Sequence, residues 1–320
     1  MARKINTINY SNRLDNDLKL FIKKLQENSD HHTANDITKI RNSYARTCDL
    51  FKSEHPPGIK IETTSVTSKS KEINVRIYKK NSNLKAQILY AHGGGFIMGG
   101  LESHDGICAD ICDLTGFKVT AVDYRLSPEY PHPAAFEDVL EIYKSLNKEI
   151  PVIGVGDSAG GTLIAMLANE LKNTASSLKG QVLIYPYLGG NMESGSYLTH
   201  AEAPCLTTND MKFYLECWNH NQDDSVKIPL NEINFEGLPP TVVFTASDDP
   251  LNSDGISYVK KINSSNGKAI HIEGEHLVHG FLRARNIVEK AKISFAKIAQ
   301  SINILSQNEW ISKKHGGACK

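Results

Sequence analysis

Residues 151–161 read PVIGVGDSAGG, and the segment TLIAMLANELK follows without a break. A short apolar run, 151–155, ends at Gly156-Asp157-Ser158-Ala159-Gly160-Gly161, where a stretch of helical length begins. This is G-x-S-x-G at a strand-to-helix turn. The flanking glycines leave room for a tight, strained turn that pushes the Ser158 hydroxyl out of the sheet, as a nucleophile requires. A glycine-rich turn can instead cradle phosphate, but no Lys follows to make a P-loop, and no G-x-G-x-x-G is present.

Outward from this turn the same alternation repeats. Short apolar runs stand at 86–91, 117–123, 180–185, 240–246 and 268–273, with helix-length segments at 134–149, 158–173, 252–265 and 283–302. Buried runs alternating with helices predict an α/β fold, a mostly parallel sheet covered on both faces. Ahead of them, 59–68 and 72–80 alternate in polarity (Ile59-Ile61-Thr63, Ile73-Val75-Ile77), as two strands of a hairpin or edge do. Residues 1–50 are polar, with Leu14, Leu18, Phe21, Ile22 and Leu25 at helical spacing, and Pro56-Pro57-Gly58 ends that region. Residues 188–236 form a long interval between two strands, with helical character from Met211 to Trp218, and such an insertion is usually a lid or cap. The expected plan is an N-terminal helical cap segment (1–50), an α/β domain (51–305) carrying the cap insertion (188–236), and a polar tail (306–320).

Composition narrows the partners. The 320 residues suit one α/β unit, and 40% apolar content supports a large core. Lys plus Arg (36) balance Asp plus Glu (36), so no net charge draws the chain to nucleic acid or anionic lipid. The basic start is followed by no continuous apolar run, and no stretch approaches about 18 apolar residues, so neither a signal peptide nor a membrane span is expected. Six cysteines are scattered along the chain. Cys108 and Cys112 are four apart, which on a helix puts both on one face, but no second close pair completes a zinc signature. Buried, reduced thiols in a cytoplasmic protein are the expectation.

In open α/β sheets the chemistry gathers at the carboxyl ends of the strands. After run 86–91 comes His92-Gly93-Gly94-Gly95-Phe96. Three glycines in a row suit a backbone that closely approaches a ligand. In a hydrolase their N–H groups face the oxyanion as it forms, joined by the amide of Ala159. His92 precedes the serine and suits a supporting role. A serine nucleophile also needs a base and an orienting carboxylate, in the chain order Ser, Asp or Glu, His. After 240–246 stand Asp248 and Asp249, and after 268–273 stand His276 and His279. Position alone does not choose within either pair, and Asp254 is a further candidate.

Taken together, HGGGF (92–96), YRLSPE (124–129), PAAFEDV (133–139), GDSAGG (156–161), DPL (249–251) and HGF (279–281) resemble the hormone-sensitive-lipase-like esterases, most of all their bacterial acetyl-esterase branch. The resemblance runs from about residue 84 to 300. It implies the α/β-hydrolase fold, with Asp249 as the triad acid, His279 as the base and Ser158 as the nucleophile. It assigns the oxyanion hole to Gly94, Gly95 and Ala159, with Gly93 shaping the loop. It also implies a cap built from N-terminal helices and an insertion before the DPL strand. The implied partner is a small-molecule ester with a short acyl chain. No metal or organic cofactor, nucleic acid or membrane span is implied, and a homodimer is compatible with it. One departure stands out: the family often continues DPL with Arg-Asp-Glu, where this chain has Asn252-Ser253-Asp254. In YRLSPE, Arg125 and Glu129 are expected to pair or to order the oxyanion loop. The competing readings are an amidase or deacetylase on the same triad, and a non-catalytic binder. Relatives of the binding kind lack the catalytic His, and His279 is present.

Overall fold

The computed structural model describes residues 8–28, 36–68, 71–80, 85–219 and 228–307. The alternating segments pair as an antiparallel hairpin, β1 (Lys60–Ser68) with β2 (Lys71–Lys79), setting Ile61 opposite Tyr78 and Val66 opposite Ile73. The apolar runs follow as β3 (Gln87–Ala91), β4 (Lys118–Val122), β5 (Val152–Asp157), β6 (Gly180–Ile184), β7 (Thr241–Asp248) and β8 (Ala269–Val278). All lie in one sheet of order β1-β2-β4-β3-β5-β6-β7-β8, parallel from β4 onward. Strands β3, β5, β6 and β7 are buried along their whole length. That explains why they read as unbroken apolar runs rather than alternating ones.

The helices are α1 (Asn16–Asn28), α2 (Ile37–Leu50), α3 (Asp105–Thr115), α4 (Ala134–Ser145), α5 (Ala159–Leu171), α6 (Ser196–Thr199), α7 (Thr208–Trp218), α8 (Asn252–Ser264) and α9 (Glu289–Ser306). On one face of the sheet Ile107 and Ile111 of α3 and Ile298 and Ile302 of α9 pack on Ile88, Val119 and Val182. On the other, Val139 of α4, Leu163 and Leu167 of α5 and Ile262 of α8 pack on Leu89, Val122 and Val243. Each such side chain stabilises the fold by roughly 1.5–3 kcal/mol on burial. Among the described residues no helix is long and apolar enough to cross a membrane.

Two boundaries differ from the sequence reading. Helix α3 lies in a stretch that is not among the helix-length segments read from the sequence. The C-terminal helix begins at Glu289, because residues Phe281–Ala284 form a separate 3-10 turn anchored by buried Phe281 and Leu282. The Asp17 carboxylate accepts from the Glu289 N–H at 3.1 Å, so α1 caps the start of α9. The apolar face of α1 (Leu18, Phe21, Ile22) is buried in the α3/α9 layer, with Phe21 against Phe51 at 4.8 Å. Helix α2 packs against α1. Its Arg41 reaches the segment behind the glycine loop, donating to the carbonyls of Ile97 (2.6 Å) and Ser127 (2.9 Å). The last thirteen residues of the polar tail lie outside the described residues.

Candidate active site

Ser158 is the joint between β5 and α5, with φ 51° and ψ −120°, a conformation few non-glycine residues adopt. The turn is this tight because α5 presses on the neighbouring strand: a Cβ at Gly160 would stand 2.0 Å from the Ala91 carbonyl oxygen. The Ser158 N–H is held by the Ile184 carbonyl of β6 at 2.9 Å. Asp249, the first residue past β7, is fully buried and accepts from the Leu251 N–H at 2.9 Å through Oδ1. Its Oδ2 lies 2.7 Å from Nδ1 of His279, which follows β8. The carboxylate holds the proton on Nδ1, so Nε2 turns its lone pair to Ser158 Oγ at 3.0 Å. Three loops from three strands thus meet at one chain of hydrogen bonds.

The other candidates go elsewhere. Asp248 ends β7 and faces away from His279; its Oδ1 accepts from Arg13 Nε at 2.5 Å. His276 sits 3.9 Å from Asp248, with φ 58° and its N–H on Ser247 Oγ. Asp254 is buried, and its Oδ2 accepts from the N–H groups of Leu188, Gly189 and Gly190 and from the Tyr197 hydroxyl. Asp254 therefore holds the opening residues of the insertion. Burial pushes its carboxyl up to about 6 in spite of those donors.

The glycine loop lies beside the serine. Gly93 donates to Asp157 Oδ1 at 3.0 Å. The N–H groups of Gly94, Gly95 and Ala159 have no acceptor among the described residues. Gly95 has φ 58°, and a Cβ there would stand 2.7 Å from the ring of Tyr214 on α7. The insertion helix therefore lies directly on the loop. Its last residue, Trp218, stacks flat on Phe96 at 4.1 Å, and its carbonyl accepts from the His132 N–H at 2.8 Å. His92 stacks on Tyr124 at 4.1 Å with Nδ1 2.8 Å from the Gly93 carbonyl. Burial pushes it down to about 3, so it is neutral and braces the loop.

The expected Arg125–Glu129 pair does not form. Arg125 instead forks onto Asp138 of α4, whose carboxylate also takes the Arg125 N–H. Glu129 is bound by Arg41 of α2 at 2.7 Å. At the departure from Arg-Asp-Glu, Asn252 donates to Glu273 and Ser253 meets Ser196 of α6. Arg13 and Arg41 act across more than 80 residues of chain, and no local pattern in the sequence marks them. Among the described residues no group of three or more His, Cys, Asp or Glu is placed to hold a metal ion.

Residues 88–283 match a protein family described as having the alpha/beta hydrolase fold. The chain belongs to that family. Its hormone-sensitive-lipase-like motifs fall within the matched span. It is 30% identical over 261 residues to the esterase LipI of Mycobacterium tuberculosis, covering 76% of this chain and 81% of that one. To the ethyl acetate hydrolase of Pseudomonas putida it is 26% identical over 269 residues, 78% and 84% of the two chains. The hyperthermophilic esterase of the archaeon Pyrobaculum calidifontis superposes with a TM-score of 0.84 at 27% identity, covering 92% of this α/β-hydrolase and 99% of that chain.

Proposed function

We propose that this α/β-hydrolase is a serine carboxylesterase that cleaves small esters with short acyl groups. That it is an ester hydrolase agrees with the names of its relatives, and the ethyl acetate hydrolase among them supports the short acyl chain. The observation that carries the mechanism is the Asp249–His279–Ser158 chain, with contacts of 2.7 and 3.0 Å beside three backbone N–H groups that have no acceptor among the described residues.

His279 takes the Ser158 proton as the hydroxyl attacks the ester carbonyl, and Asp249 stabilises the imidazolium. The carbonyl oxygen becomes an oxyanion and is received by the amides of Gly94, Gly95 and Ala159, one such donor being worth roughly 3 kcal/mol. The intermediate collapses, His279 protonates the departing alcohol, and the acyl group stays on Ser158 Oγ. Water, deprotonated by His279, attacks the acyl-enzyme and releases the acid. No step calls for a metal or an organic cofactor.

The test is a series of aryl esters from acetyl to decanoyl, run with Ser158→Ala and with a matched acetamide. Activity highest at the short end and abolished by Ser158→Ala supports the proposal. Turnover by Ser158→Ala within about tenfold of the parent overturns the nucleophile. Amide turnover equal to ester turnover points instead to an amidase.

A further inference from the structure

Beneath the glycine loop lies a buried polar cluster that the mechanism above does not use. His104, at the start of α3, is 3% exposed. Its Nδ1 lies 2.8 Å from Ser103 Oγ, and its Nε2 lies 3.3 Å from Asp157 Oδ2. The same Ser103 oxygen is 2.8 Å from the Gly100 carbonyl and 3.0 Å from the Gly100 nitrogen.

Counting protons settles the roles. A hydroxyl has one hydrogen and two lone pairs. The Gly100 carbonyl can only accept, so Ser103 donates its hydrogen there. The Gly100 N–H donates into one lone pair of Ser103 Oγ. The remaining lone pair faces His104 Nδ1, which must therefore carry a proton. On the other side, Asp157 already accepts from the Tyr90 hydroxyl (2.8 Å) and the Gly93 N–H (3.0 Å) through Oδ1, as an ionised carboxylate does. Its Oδ2 can then only accept, and Nε2 must carry a proton too. Both ring nitrogens are donors.

We propose that His104 is a buried imidazolium and a positioning residue for the oxyanion loop. It fixes Asp157, which binds Gly93 of the loop on one side and is the residue before Ser158 on the other. One carboxylate thereby sets the distance between the oxyanion glycines and the nucleophile. The surrounding aromatic rings carry no charge. His92, 5.6 Å away, is neutral, and the Tyr90 ring is 6.1 Å away. Tyr185 presents its hydroxyl to Asp157 at 3.4 Å. Arg283 donates to the Ser103 carbonyl, and the Asp105 carboxylate is engaged by Arg76, Tyr78 and His55. Asp157 is the carboxylate that faces His104, and the buried Arg283 guanidinium also feels its charge.

The inference on catalysis rests on the Ser158 reading, but the charge state can be measured without it. Nitrogen-15 NMR of the histidine rings, with His104→Gln used to assign the signal, should show both His104 nitrogens carrying hydrogen in the folded enzyme. A neutral ring there overturns the imidazolium. In kinetics, His104→Phe should lower kcat on an aryl acetate by about a hundredfold, a loss comparable to that of one oxyanion donor, with KM within about twofold. Affinity for a trifluoromethyl ketone should fall in step with kcat/KM. His104→Gln, whose amide nitrogen can still donate to Asp157, should recover part of the loss. Equal activities of His104→Phe, His104→Gln and the parent, in an enzyme that Ser158→Ala inactivates, overturn the positioning role alone. Turnover by Ser158→Ala would instead sink the nucleophile and leave the NMR result to judge His104.

Discussion

Asp248 and Asp249 share a peptide bond and serve opposite partners: Asp248 accepts from Arg13 at 2.5 Å, and Asp249 meets His279 at 2.7 Å. Successive side chains at a strand end point to opposite sides, so only one of the two can reach the histidine.

Exchange of each for asparagine should therefore separate chemistry from stability. Asp249→Asn keeps the shape but favours the wrong imidazole tautomer, and kcat should fall by up to about 10⁴. Asp248→Asn removes the charge facing a half-exposed Arg13. It should cost about 1–2 kcal/mol of stability and leave kcat within a few-fold. Steady-state kinetics and chemical denaturation on both variants check this, and the reverse pattern would exchange their roles.

The two histidines after β8 divide in the same way. His279→Ala should lose several powers of ten in kcat, because Ser158 loses its proposed base. His276→Ala should retain most activity, since its ring lies beside Asp248 and Glu275 rather than beside the serine. Greater damage from His276→Ala than from His279→Ala would rule out the proposed base.

Asp254 makes the attachment of the insertion dependent on pH. Its folded carboxyl titrates near 6, above its ordinary 3.8. Between those values the folded state holds more protons than the unfolded chain, so this group's contribution to stability falls as pH rises through that window and levels off above about 6. Acidification from neutral pH thus favours the fold at this position. Asp254→Asn cannot titrate. The Tm difference, parent minus variant, should therefore grow as pH falls from about 7 to about 4. A difference that stays flat across that range would refute the titration.

Tyr214 and α1 should affect different properties. Tyr214 lies against Gly95 of the glycine loop, so Tyr214→Ala opens space beside that loop. The ratio of kcat/KM for long over short acyl esters should rise by about tenfold or more. Leu18 and Phe21 of α1 are buried in the α3/α9 layer, away from that space. Phe21→Ala should lower Tm and leave the acyl-length profile unchanged. A changed profile in folded Phe21→Ala would place α1 in the cap.

The sequence by itself determined the α/β layering, the strand-to-helix turn at Ser158, the glycine loop at 92–95 and the order Ser, Asp, His. Each is a local feature: an apolar run marks a buried strand, and glycine marks a backbone that must turn sharply or admit a close neighbour. The edge hairpin was equally legible, because alternation is the imprint of a half-buried strand. Residue patterns alone left Asp248 against Asp249 and His276 against His279 open, and only the motif resemblance favoured one of each. The tertiary structure distinguishes them through the directions in which two strand ends point their side chains. It also decided that Arg125 binds Asp138 while Glu129 binds Arg41, that Asp254 holds the insertion, and that His104 sits behind Asp157. These contacts join segments far apart in the chain, and their strength comes from burial that no short window of sequence records.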